Sequence, residues 1–152
     1  MPGSWNDADF PDLTADNHTI TSPATRRYNC IAWAAGETNR KWWPDQRNIG
    51  WWPKGVQRAE TMEAFVEAYG TLGFRLCFDG PSLQPGIEKL ALCGMRAAEG
   101  EPPIPTHAAL QLESGKWTSK LGDFEDIAHD PVEALNGPVY GKVLYYLSRP
   151  RS

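Results

Sequence analysis

Cysteine is scarce in this chain, and clustered metal ligands are missing. Cys30, Cys77 and Cys93 are the three cysteines among 152 residues. An odd number at such wide spacings suits neither a disulfide framework nor a zinc ribbon, and it leaves at least one thiol free. Cys30, Cys77, Cys93, His107 and His129 form no Cys-x-x-Cys or His-x-x-x-His pair, so no metal site and no cofactor is expected. Long apolar runs are missing too. No window approaches the roughly 18 apolar residues of a membrane span, and Met1-Pro2-Gly3-Ser4 opens no export signal. The chain reads as cytoplasmic, with no membrane partner. Positive charge is not in excess either: 15 Lys and Arg against 19 Asp and Glu give a net charge of −4. That balance excludes the electrostatic footprint of a nucleic-acid binder.

Aromatic and turn-forming residues are what the chain does have. Trp contributes 7 aromatics beside 5 Tyr and 5 Phe, and there are 14 Gly and 13 Pro. With 41% hydrophobic and 22% charged residues, this is the profile of one loop-rich globular domain, long enough to bury a core without staples. Residues 1–25 are polar and broken by proline, so they read as an extended arm ordered only by docking Trp5, Phe10 or Leu13. Residues 26–149 form the single domain.

Within that domain, Tyr28-Asn29-Cys30-Ile31-Ala32-Trp33-Ala34-Ala35-Gly36 reads as a short buried helix, with Asn29 as N-cap and Gly36 as stop. The stretch 41–55 holds two Trp-Trp-Pro units and reads as a loop. Met62, Phe65, Val66 and Tyr69 then mark an amphipathic helix. Strands are expected at 74–78, 88–93, 106–112, 116–121 and 140–147, with a hairpin at Glu113-Ser114-Gly115 and a short helix at 131–135. Helices followed by mostly antiparallel strands make an α+β class.

One constellation carries chemistry. A helix N-terminus and a neighbouring imidazole both favour the thiolate, the working form of a cysteine nucleophile. Cys30 sits at the predicted helix start, and His107 opens a strand after Pro102-Pro103-Ile104-Pro105-Thr106. The plain alternative is a buried structural cysteine and a hydrogen-bonded strand histidine. A third group is sought to orient His107. Ser119, on the returning hairpin strand, and Asp126, in the acidic segment 122–129, are both open; a carboxylate is physically the better stabiliser of an imidazolium. Trp42, Trp43, Trp51 and Trp52 either line a cleft or cap the core beside Arg40, Arg47 or Lys54. Each Trp pair is expected to put one ring inward and one outward.

The strings Asn29-Cys30-Ile31-Ala32-Trp33-Ala34, His107-Ala108-Ala109-Leu110-Gln111-Leu112, Ser114-Gly115 and Trp117-Thr118-Ser119 resemble the papain-like thiol hydrolases, in particular the NlpC and CHAP types. The Asn-Cys-Ile-Ala-Trp-Ala, Thr-His-Ala-Ala and Trp-Thr-Ser-Lys-Leu-Gly strings also resemble a family of small bacterial proteins of unassigned activity. The first resemblance implies a papain-like α+β fold with N-terminal helices packed on the sheet. It also implies Cys30 as nucleophile, with its own backbone amide as oxyanion donor, His107 as general base, and Ser119 as orienter. The serine departs from the Asn, Asp or His usual at that position.

Two functions are therefore expected side by side. One is a cysteine hydrolase acting on a peptide, amide or glycopeptide, with Asn29, Trp33, Trp43, Trp52 and Trp117 lining the substrate. The other is a catalytically inactive papain-like binding or regulatory module that holds a protein or glycan partner with its Trp-rich loop.

Overall fold

A computed structural model describes residues 3–152. Seven strands form one antiparallel sheet in the spatial order β1-β6-β5-β4-β3-β7-β2. Their ranges are β1 His18–Ser22, β2 Arg75–Cys77, β3 Ile87–Met95, β4 Ile104–Gln111, β5 Trp117–Lys120, β6 Asp126–His129 and β7 Lys142–Pro150. Two α-helices accompany them, α1 Cys30–Ala34 and α2 Met62–Gly70. One-turn 3-10 helices lie at Asp7–Asp9 and Val132–Leu135.

The sheet's centre follows from composition. β3 carries Leu90, Ala91, Leu92, Cys93 and Gly94 in succession, all buried. Such a strand is covered on both faces and pairs on both edges, with β4 and β7. Gly94 lets the strands approach, since a Cβ there would stand 2.7 Å from the Ile104 carbonyl oxygen. On one face α1 lies over β4 and β5, and α2 over β2 and β4. Ile31, Ala32, Phe65, Tyr69, Leu92, Ala108 and Leu147 form the core there. The Tyr69 hydroxyl donates to the Ile31 carbonyl at 2.8 Å and ties α2 to α1. Ala91, Ala109, Trp117 and Val132 pack on the other face.

These observations correct the expected fold. The architecture is β-rich, a seven-stranded antiparallel sheet with helices of five and nine residues. It is not a papain-like body of N-terminal helices packed on a sheet. The expectation overweighted α1, which at five residues makes no layer, and missed two strands. β1 lies inside the polar arm and pairs with β6 from His18↔His129 to Ser22↔Asp126; β6 lies in the acidic stretch. The polarity of His-Thr-Ile-Thr-Ser suggests an extended arm outside the sheet, although its alternation suits an edge strand with one wet face. The rest of the arm docks as expected. Trp5 and Phe10 are buried with Leu121, Ile127, Leu135 and Tyr140, and Leu13 packs against them.

Arm docking predicts that Phe10→Ala destabilises the chain by about 3 kcal/mol, the usual cost of deleting a buried ring. Urea unfolding measures this; a loss within about 0.5 kcal/mol, typical of surface changes, would show that the arm does not contribute to the core.

Candidate active site

The site begins with a break in the sheet. β4 and β5 pair at Leu110↔Thr118 and Gln111↔Trp117, and beyond Thr118 no further pair joins them. Alternate residues of a strand send their N–H and C=O groups to the same edge. The divergence therefore leaves the Thr106 carbonyl and the Ala108 amide facing the gap. Cys30 fills it. Its Sγ donates to the Thr106 carbonyl at 3.9 Å and accepts from the Ala108 N–H, so the sulfur grips the backbone on both sides of His107.

Cys30 is held there by Asn29, whose Oδ1 caps α1 by accepting from Ala32 N at 3.1 Å. The same oxygen accepts from Trp42 N at 3.1 Å, and Asn29 Nδ2 donates to the Trp42 carbonyl at 2.8 Å. One side chain thus fixes both the helix start and the Trp segment. Cys30 is 6% exposed, and burial pushes its thiol pKa up to about 11 against the N–H groups of Ala108, Ile31 and Cys30 that favour the thiolate.

His107 leaves β4 on the face of Ala109 and Trp117, because side chains alternate along a strand. Its Nε2 lies 3.0 Å from Ser119 Oγ, and the same oxygen lies 2.8 Å from His129 Nε2. His129 Nδ1 is 3.1 Å from the Pro131 carbonyl. Tyr140 stacks on the His107 ring with centroids 4.0 Å apart, which fixes the ring plane. His107 Nδ1 is buried without a partner among the described residues. Burial holds the His107 pKa down to about 3, with His129 adding to the shift, and holds His129 down to about 4. Both rings are neutral near pH 7. No hydrogen bond joins Cys30 to His107 among the described residues.

A cleft of about 1330 Å³ opens over the thiol, walled by Cys30, Trp43, Trp51, Trp52, Thr106 and Tyr140 among others. The two Trp-Trp-Pro units pair with each other: Trp42 and Trp51 form a parallel bridge, with Trp43 N donating to the Trp51 carbonyl at 2.9 Å. Arg58 clamps this segment, donating to the Asp45 and Gly50 carbonyls at 2.9 and 2.8 Å. Asp45 in turn accepts from the amides of Ile49 and Gly50, and these two amides hold its pKa below the usual carboxylate value. Trp42 and Trp52 point inward while Trp43 and Trp51 are half-buried, so each pair divides as the sequence implies. Arg40 is the cation over Trp51, 4.0 Å from the ring centroid.

Of the residues singled out by sequence, the structure gathers Asn29, Cys30, Trp43 and Trp52 at the cleft, and Ser119 at His107. Trp33 and Trp117 lie elsewhere. Trp33 stacks on Tyr28 and donates to Thr118 Oγ1 at 2.9 Å, while Trp117 is core on the far face of the sheet. Asp126 does not meet His107. Its carboxylate accepts from the Thr21 hydroxyl and, at 2.7 Å, from the Tyr28 hydroxyl. His129 and Tyr140 were missed as site residues; only the strand pairing that the sequence reading overlooked carries His129 to Ser119. Cys77 and Cys93 lie in strands, and all three thiols are free. No group of three or more metal-ligating side chains is clustered among the described residues. No helix among them is long and apolar enough to cross a membrane.

The fold and site together define a β-rich protein with a thiol and a buried histidine pair beside an aromatic cleft. A family model described as a domain of unknown function, DUF7689, matches residues 19–148, and the chain belongs to that family. No curated protein and no solved structure matches it.

The depressed histidines set an acid limit on stability. A histidine whose folded pKa lies below its unfolded value near 6.5 binds fewer protons folded than unfolded between the two values, so stability falls as pH drops through that window. Unfolding free energy is expected to decline from about pH 6.5 toward pH 3–4, and His107→Gln to flatten the slope in a denaturant series. An unchanged slope in the variant would mean that His107 is not buried neutral.

Proposed function

We propose that this protein is a cysteine hydrolase that cleaves an amide or ester through Cys30 and His107. The supporting observation is that Cys30 Sγ, on the wall of the cleft, grips the backbone on both sides of a neutral histidine whose Nδ1 has no partner. Near neutral pH the resting pair is a thiol and an imidazole, not an ion pair, because burial raises one pKa and lowers the other. Catalytic hydrogen bonds in unliganded enzymes are often unmade and tighten in the substrate complex. The thiol therefore has to turn from the Thr106 carbonyl to His107 Nδ1 as substrate enters.

In the first step the S–H proton passes to Nδ1 while sulfur bonds to the substrate carbonyl carbon. The imidazolium then protonates the leaving nitrogen or oxygen as its bond to carbon breaks, giving an acyl-thioester on Cys30. Water, deprotonated by His107, attacks the thioester; the acid leaves and the proton returns to sulfur. A peptide, amide or glycopeptide chain would lie along Trp43 and Trp51, whose partly exposed rings provide flat apolar area.

A second reading, a binding module that holds a peptide or glycan without turnover, is favoured by one observation. The sulfur's hydrogen bond goes to the Thr106 carbonyl and not to the imidazole.

4-Nitrophenyl acetate separates the two. The wild type is expected to release nitrophenolate in a burst and to carry one acetyl group on Cys30 by peptide mass mapping. Cys30→Ala should show neither, and His107→Gln should acylate about 10²- to 10⁴-fold more slowly, the usual scale of general-base catalysis. Equal release by wild type and Cys30→Ala would end the hydrolase reading and leave the binding module.

A further inference from the structure

We infer that His129 is a positioning residue that fixes, through Ser119, which nitrogen of His107 carries the proton. This deepens the hydrolase reading and rests on it for its consequence, although the proton positions themselves are independent of turnover.

The argument is a sequence of forced hydrogen-bond directions. A carbonyl oxygen can only accept, so at 3.1 Å from the Pro131 carbonyl the His129 Nδ1 must carry its ring proton. His129 is buried and neutral, so its Nε2 is left as a bare acceptor. Ser119 Oγ has a single proton, and at 2.8 Å from that nitrogen it donates there. Toward His107, 3.0 Å away, Ser119 has only a lone pair left, so the proton in that bond belongs to His107 Nε2. A neutral imidazole holds one ring proton, and His107 Nδ1 is therefore a bare lone pair. It is the same nitrogen that is buried without a partner.

The reverse arrangement is penalised at its far end. If Ser119 donated to His107, the His129 Nε2 would have to be protonated and its bare Nδ1 would face the Pro131 carbonyl, lone pair against lone pair. The His107 Nδ1 would then carry a proton and could accept none from a thiol. Ser119 alone cannot make this choice, since a hydroxyl donates or accepts equally well. His129 and the Pro131 carbonyl supply the direction, and Tyr140 stacked on the ring holds its plane.

Two-bond proton–nitrogen correlation spectra of the full chain with labelled histidine read the tautomers directly at neutral pH. The expected result for the wild type is His107 protonated on Nε2 and His129 on Nδ1. In His129→Phe the serine loses its acceptor, and a substantial Nδ1–H population should appear on His107, with acetylation of Cys30 slowed about 10- to 100-fold. His129→Gln, which can present an amide oxygen to the Ser119 hydroxyl, should keep the Nε2–H form and stay within a few-fold of the wild-type rate. It also serves as the folded control should the Phe variant not fold. A wild-type His107 protonated on Nδ1, or a tautomer unaltered in His129→Phe, would overturn the inference. If the tautomers respond as expected while Cys30 is never acetylated, the relay stands and the hydrolase reading falls.

Discussion

The parting of β5 from β4 beyond Thr118 is the constraint on which the site depends. It leaves the Thr106 carbonyl and the Ala108 amide without ladder partners at the edge of a closely packed core, where an unmade backbone hydrogen bond costs about 1–3 kcal/mol. A water-filled gap would break the packing of Ile31 and Ala108, and a β-strand cannot supply the missing partner once β5 has turned toward β6. A small group that both donates and accepts, delivered from the start of a short helix, resolves this, and the Cys30 thiol is such a group. The reason for a five-residue helix here is thus visible in the sheet. It only has to bring one side chain and the Asn29 cap to the edge of β4, and the burial of Ile31, Ala32 and Ala34 holds it there.

Burial also keeps the Cys30 thiol and both histidines uncharged near neutral pH. The His107-Ser119-His129 chain contains no carboxylate, and Asp126, the nearest candidate by sequence, is occupied by Thr21 and Tyr28. A carboxylate at the position of Ser119 would stabilise an imidazolium. Burial, with His129 adding to it, holds His107 far below an ordinary histidine, and a serine between two neutral rings gives direction to a proton but no charge to offset that shift. Lys120 carries its ammonium beside the same region, yet its Nζ is used by the carbonyls of Thr25, Gly122 and Phe124, and burial lowers its pKa as well. These contacts close the β5–β6 turn and bring β6, with His129, alongside Ser119.

The sequence made parts of this legible because the determining signals were local. Asn29 as cap, Cys30 as the first helical residue, the Gly115 hairpin and the inward-outward division of each Trp pair all follow from neighbouring residues. Ser119 beside His107 was readable because a tight hairpin fixes its own register. The arrangement of β1 and β6 was not readable, since β1 is a half-exposed polar strand, β6 buries polar side chains within an acidic stretch, and their pairing joins residues more than a hundred positions apart, as in His18↔His129. His129 was lost with them. The papain-like fold was inferred from the order of short strings, and such strings determine a helix start and a hairpin without determining how many strands lie beyond them.

The cleft and the thiol are mechanically one unit. Asn29 accepts from Ala32 and Trp42 through one oxygen and donates to the Trp42 carbonyl, so the Trp segment cannot shift without disturbing the amide that caps α1. At its other end the segment is fixed by Arg58 and by Asp45 folding back on Ile49 and Gly50. A ligand against Trp43 or Trp51 would therefore press on a segment tied to Arg58 at one end and to Asn29 at the other. At the helix start the Cys30 sulfur is held by a weak S–H donation to the Thr106 carbonyl at 3.9 Å and by the Ala108 N–H that it accepts from. Cleft and thiol are thereby coupled through the hydrogen bonds of Asn29. In a hydrolase the same coupling would deliver the thiol proton to His107 Nδ1 when substrate is present; in a binding module it would leave that lone pair unused.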